Sequence, residues 1–196
     1  MMYSGEQMEE KAIIKTACRM CAAARTAPKT RGIDNILTLV LSGVEKDALA
    51  DKMDEIAERE FKGETTHFPR DAKNLRLAQA VVLIGVKRSY TGLKFCSYCG
   101  FKNCEKCKEA GGRCVYNMID LGIALCSAAS IAADSRVDNR IMYSIGKAAA
   151  EMDYTSDSVV WHGIPISISG KNIFLTVNNL KVYKDKKVVC ALHLTC

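Results

Sequence analysis

Histidine is scarce in this chain. There are three in 196 residues, His67, His162 and His193, and none has a second histidine or a carboxylate at ligand spacing. This excludes histidine-built metal sites and leaves all three as structural residues. Signatures of other chemistries are missing as well. No Gly-x-Ser-x-Gly turn presents a hydrolase nucleophile, and neither Gly-x-Gly-x-x-Gly nor a P-loop is there to cradle phosphates. No uninterrupted apolar run approaches the ~20 residues that cross a bilayer, and Met1-Met2-Tyr3-Ser4-Gly5-Glu6 opens a polar, acidic segment rather than a leader. A soluble, unsecreted, cytoplasmic protein with no membrane partner is expected. Internal repeats and low-complexity tracts are lacking, and 48% apolar with 26% charged residues matches globular averages, so disorder and fibrous folds are excluded. The basic excess is small: 28 Lys and Arg against 22 Asp and Glu give +6. Because these residues are scattered where a nucleic-acid binder shows a stripe, no nucleic-acid partner is expected.

Cysteine, by contrast, is abundant. Five of the ten, Cys96, Cys99, Cys104, Cys107 and Cys114, fall within 19 residues. Without an export signal, and with a core large enough to do without staples, disulfides are the weaker explanation and a metal site in a reducing compartment the stronger. The segment reads Cys96-x2-Cys99-x4-Cys104-x2-Cys107-x6-Cys114, with Gly100, Gly111 and Gly112 available for tight turns. Thiolates this closely spaced can wrap a 4Fe-4S cluster. On spacing alone, zinc held by Cys96-x2-Cys99 and Cys104-x2-Cys107 remains the rival. Five thiols compete for four positions, and a one-turn helix at Cys104 would set Cys107 beside it. Cys18-x2-Cys21, Cys126, Cys190 and Cys196 read as small core or tail residues.

Periodicity predicts the frame. Met8, Ala12, Ile13, Ala17, Met20, Cys21 and Ala24 mark one face of a helix over 6–25 that Pro28 ends. A strand at 36–41 precedes a helix over 44–61, and Ala80 to Val86 is a buried strand leading into the cysteines. Helices are predicted over 115–133 and 138–152, then strand-like residues from Val159 to Gly170 that Pro165 should interrupt. A terminal hairpin or arm is expected over 175–196. At ~100–200 residues per domain, 1–196 is expected to be a single α+β domain, with helices on a mixed sheet and the cysteine-rich loop, 94–114, inserted at a strand end.

Several phrases carry a resemblance. Ala23-Ala24-Arg25-Thr26-Ala27-Pro28-Lys29, Asp120-Leu121-Gly122-Ile123-Ala124-Leu125, Val137-Asp138-Asn139-Arg140-Ile141-Met142-Tyr143-Ser144 and Gly163-Ile164-Pro165-Ile166-Ser167-Ile168-Ser169-Gly170-Lys171-Asn172 together resemble the uncharacterised ferredoxin-domain-containing proteins of anaerobic bacteria and archaea. Cys96-Ser97-Tyr98-Cys99-Gly100-Phe101-Lys102-Asn103-Cys104 resembles the opening of a four-iron domain whose last cysteine lies well downstream. That likeness implies Cys96, Cys99, Cys104 and Cys114 as ligands, with Cys107 as competing fourth.

The order of a helix ending in Ala-Pro, a central strand, a small-residue helix and a Gly-x-Pro strand end is similar, more distantly, to the nitroreductase fold. This implies an α+β homodimer that binds FMN between subunits and passes electrons from a nicotinamide donor or a redox partner protein. By the same likeness Arg25, Thr26, Pro28 and Lys29 would lie near the flavin, joined by Asn139 and Arg140. Such proteins usually carry an Arg-x-Ser phosphate-binding segment before the first helix, and this sequence has none. Either Arg25, Lys29, Arg31 or Arg140 replaces it, or the flavin is absent. An iron-sulfur electron-transfer protein, in its enzymatic form an FMN-dependent oxidoreductase, is the expected function. A non-catalytic iron-sulfur (or zinc) sensing or partner-binding module is the alternative.

Overall fold

The computed structural model describes residues 1–175. The tail expected over 175–196, with Cys190, His193 and Cys196, lies outside the described residues apart from Leu175. Helix α1 (Gly5–Thr26) starts where a capping box forms: Ser4 Oγ accepts from the Gln7 amide at 3.2 Å while Gln7 Oε1 accepts from the Ser4 amide at 3.1 Å. A single 3-10 turn at Thr30–Gly32 leads to β1 (Ile36–Ser42). Helices α2 (Gly43–Phe61) and α3 (Phe68–Leu77) follow, then β2 (Ala80–Lys87). Beyond the cysteine loop, which contains α4 (Cys104–Glu109), come α5 (Val115–Asp134), β3 (Asp138–Asn139), α6 (Tyr143–Ala149) and β4 (Val159–Ser167).

The sheet runs β1-β2-β4-β3. Every ladder among the described residues is antiparallel, where a mixed sheet was expected. The pair α2 and α3 explains this. A single crossover helix would bring the next strand in parallel, whereas two helices in succession return the chain to the end it left, and Ala80 enters opposite Ser42. Helix α3 is not foreseen from sequence, because its buried stripe holds only Phe68, Ala72 and Leu75, with polar Asp71 and Asn74 buried beside them.

Strand β2 is buried along its length except at Lys87, as a central strand covered on both faces must be. Ala80, Val82, Ile84 and Val86 pack under α1 and α5, against Met20, Ala24, Leu121 and Ala128. Val81 and Leu83 face α2, α3 and α6 through Leu49, Met53, Leu75 and Ile145, with Trp161 of β4 in the same cluster. Helix α6 lies so close to β4 that a Cβ on Gly146 would stand 1.8 Å from the Trp161 carbonyl oxygen.

Two local expectations are corrected. The helix predicted over 138–152 is shorter, because the open edge of β4 needs hydrogen-bond partners. Asp138 and Asn139 pair with Ser167 and Ile166, and Met142 exchanges bonds of 2.8 and 3.1 Å with Gly163. Nor does Pro165 interrupt its strand. Residues two apart in a strand point their backbone groups the same way, so Pro165 faces the edge that Gly163 shares with Met142. There it falls in the gap between that bridge and β3, where no N–H is required.

Candidate metal centre and adjoining polar cleft

Strand β2 ends at Lys87 on the sheet end where β1 begins, since Ile36 pairs with Val86. The cysteine loop is therefore delivered beside the α1–β1 turn, and Arg31 clamps it there by donating to the Thr91 carbonyl at 2.8 Å. The eight cysteines among the described residues are all free thiols, Cys107 and Cys114 being buried and Cys96, Cys99 and Cys104 half-buried. Cys107 is 1% exposed. It stands on α4 next to Cys104, as a turn of helix requires. Burial, a hydrogen bond with Cys99 and the nearby Cys99, Cys114 and Cys104 sulfurs all push its thiol pKa up. Gly112 permits this packing, since a Cβ there would lie 2.9 Å from Cys107 Sγ and 2.7 Å from the Phe101 ring.

Cys114 caps the N-terminus of α5. Its Sγ lies 3.3 Å from Thr91 Oγ1, and its carbonyl accepts from the Asn117 amide at 3.1 Å. Burial acts to raise this thiol, but hydrogen bonding, from the Thr91 side chain first, outweighs it and holds the pKa below its ordinary value. Cys96 lies between Phe95 and Ser97, which take left-handed backbone at φ 53° and 54°. Tyr98 and Tyr116 stack at 6.2 Å between centroids and 25° between planes. Burial, then the neighbouring Cys96, Tyr98 and Cys114, raises the Tyr116 phenol pKa, which places this pair against the sulfurs.

As placed, no three His, Cys, Asp or Glu side chains among the described residues form a group that could hold a metal ion. The donor set nonetheless fits a thiolate-bound metal. Cys99, Cys104 and Cys114 lie near enough to Cys107 to bear on its thiol, and all four are soft sulfur donors of the kind that select iron-sulfur clusters or zinc.

Beside Cys114 a cleft of about 90 Å³ opens between the α1–β1 turn, the exit of β2 and the first turns of α5. Asp120, only 6% exposed, accepts from the Thr30 amide at 3.0 Å and the Thr30 hydroxyl at 2.9 Å. Asn117 Oδ1 accepts from the Ser89 amide at 3.1 Å, and its Nδ2 and that of Asn35 donate to Ser89 Oγ at 2.9 and 3.0 Å. Sequence reasoning missed this network. The signal was Asn117 and Asp120, two polar residues three apart on the buried stripe of an otherwise apolar helix.

The residues expected at a flavin are divided between two places. Arg25 donates to Asp34 Oδ2 at 2.5 Å and to the Ile36 carbonyl at 2.7 Å. Lys29, its side chain 6% exposed, donates to the carbonyls of Ala24 at 3.1 Å, Ala27 at 2.7 Å and Arg25. Its ammonium thus closes the C-terminus of α1, where the helix dipole favours a cation. Thr26 Oγ1 turns back to the Ala22 carbonyl at 3.0 Å, and Pro28 is exposed. Asn139 donates to the Val137 carbonyl at 3.2 Å and Arg140 to that of Phe174 at 3.5 Å. Asn139 pairs with Ile166, which pairs with Ala80, at the sheet end opposite Ile36. Six residues of strand separate the two groups, about 20 Å at ~3.3 Å per residue.

Helices in two layers about a four-stranded antiparallel sheet make this a nitroreductase-like fold. An FMN-dependent nitroreductase of Mycobacterium smegmatis, solved in complex with NADPH, matches at TM-score 0.55 and 11% identity over 82% of this chain and 81% of that one. A BluB-like flavoprotein of Clostridium difficile 630 matches at TM-score 0.54 and 16% identity over 81% of each chain. A nitroreductase with bound FMN from Desulfitobacterium hafniense DCB-2 gives TM-score 0.52 and 13% identity over 87% of this chain and 81% of that one. Residues 110–175 match the family described as uncharacterized protein containing a ferredoxin domain (DUF2148). An uncharacterized protein of Archaeoglobus fulgidus is 38% identical over 180 residues, 88% of this chain and 95% of its own length. The chain belongs to that ferredoxin-domain family.

Proposed function

We propose that this protein is a cytoplasmic iron-sulfur redox protein, a single domain acting as a homodimer, whose enzymatic form is an FMN-dependent oxidoreductase. The observation that carries this reading is that the loop bearing five cysteines, with Cys99, Cys104 and Cys114 near Cys107, is delivered to the sheet end that also holds the polar cleft. Cys96, Cys99, Cys104 and Cys114 hold the metal. Cys114 is preferred to Cys107 because the Thr91 hydroxyl meets its sulfur at 3.3 Å, and a hydrogen bond of this kind stabilises a thiolate. A 4Fe-4S cluster, when bound, supplies one-electron transfer, and FMN, when bound, couples single electrons to a hydride from a nicotinamide donor. The chain's own part is to hold the thiols, to shield them with Tyr98 and Tyr116, and to keep Asp120 fixed beside the cleft by two donors from Thr30.

A flavin cannot be housed by the cleft alone, since about 90 Å³ falls well short of the ~300 Å³ at which ligand pockets begin. A second copy would have to complete the site. Helix α5 suits that role: it is apolar along most of its length, yet it exposes Ile119, Ile123 and Cys126. The same helix is long and apolar enough to cross a membrane, but one stripe of it packs on α1 and the sheet. The engagement of both Arg25 and Lys29 within the protein favours a second reading, a cluster-bearing module without flavin.

Visible spectra of anaerobically purified protein, with iron and sulfide analysis, separate the readings. A broad brown shoulder with about four irons per chain supports the cluster, and resolved flavin bands support the enzyme. Iron-free protein containing zinc overturns both. Cys114→Ser is expected to lose the metal and Cys107→Ser to retain it, with Cys18→Ser as control.

A further inference from the structure

The cysteine loop is also the most unevenly charged part of the chain. Between Arg88 and Cys114 lie six basic residues, Arg88, Lys94, Lys102, Lys106, Lys108 and Arg113, against only Glu105 and Glu109. This stretch alone thus contributes +4 of the chain's +6. Its four lysines are all exposed, and among the described residues only Lys106 has an ion-pair partner, Glu109 at 2.6 Å. Two exposed aromatic residues stand among them. Phe95 is 108% exposed and Tyr98 74%, and Phe95 is presented on left-handed backbone that non-glycine residues rarely adopt. Tyr98 stacks on Tyr116, whose phenol adjoins Cys96 and Cys114.

We propose that the loop formed by Lys94 to Lys108 is the docking surface for an acidic electron-carrier protein, with Phe95 and Tyr98 as the central contacts and Lys94, Lys102 and Lys108 as the rim. This rests on the redox reading above and names its partner. Exposed aromatic residues on a loop that also exposes several like charges are the ingredients of a protein interface with an aromatic core and a charged rim. The excess of one sign steers an oppositely charged partner and raises the encounter rate. The patch is confined to one loop, which suits electron-transfer encounters, the smallest class of specific interface. Tyr98, at the centre of the contact, stacks on Tyr116 near Cys96 and Cys114. Nucleic acid is the poorer occupant, because the remainder of the chain carries only a small positive balance and extends no stripe.

The test is a binding titration of the full-length protein, as purified, against an acidic bacterial ferredoxin. Basic cytochrome c, anionic phosphatidylserine vesicles and a single-stranded RNA oligonucleotide serve as comparison probes. Affinity for the ferredoxin should fall on the order of tenfold or more between 20 and 300 mM salt. The triple variant Lys94→Glu/Lys102→Glu/Lys108→Glu should lose about 100-fold, and Phe95→Ser/Tyr98→Ser about tenfold with the salt dependence unchanged. Lys11→Glu/Lys15→Glu, exposed on α1, should bind like the wild type. Ferredoxin binding that is absent, or indifferent to the triple variant, overturns the proposal, as does equal or tighter binding to cytochrome c, vesicles or RNA. Iron is measured on every sample. Loss of binding by variants that keep wild-type iron supports the docking surface, and iron-free protein that still binds through the same lysines upholds docking while removing the cluster.

Discussion

Replacing Lys29 by methionine decides whether this cation serves the fold or a ligand. Its ammonium donates to the carbonyls of Ala24, Arg25 and Ala27, with Asp34 4.0 Å away, and its side chain is 6% exposed. Methionine keeps the apolar stem and removes every donor, so three carbonyls at the end of α1 lose their partner where little water can replace it. Hydrogen bonds to a charged group are each worth ~1.5–3 kcal/mol, and a carbonyl left without one costs ~1–3 kcal/mol. The bonds share one ammonium and are not additive, so the net loss is about 2–4 kcal/mol. For a chain of this size, ~2–4 °C per kcal/mol gives a fall in Tm of roughly 5–15 °C. Calorimetry or circular dichroism on flavin-free protein measures it, with urea unfolding as a check on the slope. Lys11→Met is the control, since Lys11 is an exposed cation 4.0 Å over the Tyr3 ring and should shift Tm by no more than about 2 °C. A Lys29→Met protein that melts with the wild type, and shows a defect only in FMN affinity, would refute the structural role and return Lys29 to a flavin site.

Two further outcomes bear on the frame. Gly146→Ala gains ~1 kcal/mol of helix propensity, but its Cβ would stand 1.8 Å from the Trp161 oxygen. Helix α6 must then withdraw by about 1.2 Å from β4 and loosen the Ile145 contacts, for a net loss of roughly 2–3 kcal/mol. An alanine variant as stable as the parent in urea would show that α6 does not seat there. Burial lowers the His162 pKa below its ordinary value, against a smaller opposing effect from the Trp161 backbone. The folded pKa is depressed, so the unfolded chain binds the proton first, and stability is full above ~6.5 and falls as pH drops below it. Tm measured from pH 8 to 5 should show this slope, and His162→Gln should flatten it. An equal slope in the variant would assign the pH dependence to other groups.

How much of this was legible beforehand follows from which information is local. The first and longest helices, strands β1 and β2, and the thiol cluster are written in periodicity and spacing, so the chain could be read as α+β with a metal-suited loop. Strand direction was not local. It depended on α3, whose stripe of three apolar residues is too short to announce itself, and without α3 the return of the chain to the Ser42 end is lost. The same holds for 138–142, which carry helix-compatible residues yet serve the open edge of β4 because unpaired backbone groups there need partners.

At the candidate site the division is sharper. Residue type and spacing pointed to cysteine as the candidate metal ligand, because five of the ten cysteines fall within 19 residues. Arg25 and Lys29 looked like ligands for an anion because sequence displays their charge. Only the fold shows that charge already met, by Asp34 and by the carbonyls at the end of α1. Conversely Asp120, Asn117, Thr30 and Ser89 are unremarkable along the chain and form one network in space, because the α1–β1 turn, the exit of β2 and the start of α5 converge at one end of the sheet. Residue type determines which chemistry is available. Which groups are free to perform it depends on hydrogen bonds between segments as far apart as Thr30 and Asp120, and only tertiary packing decides those.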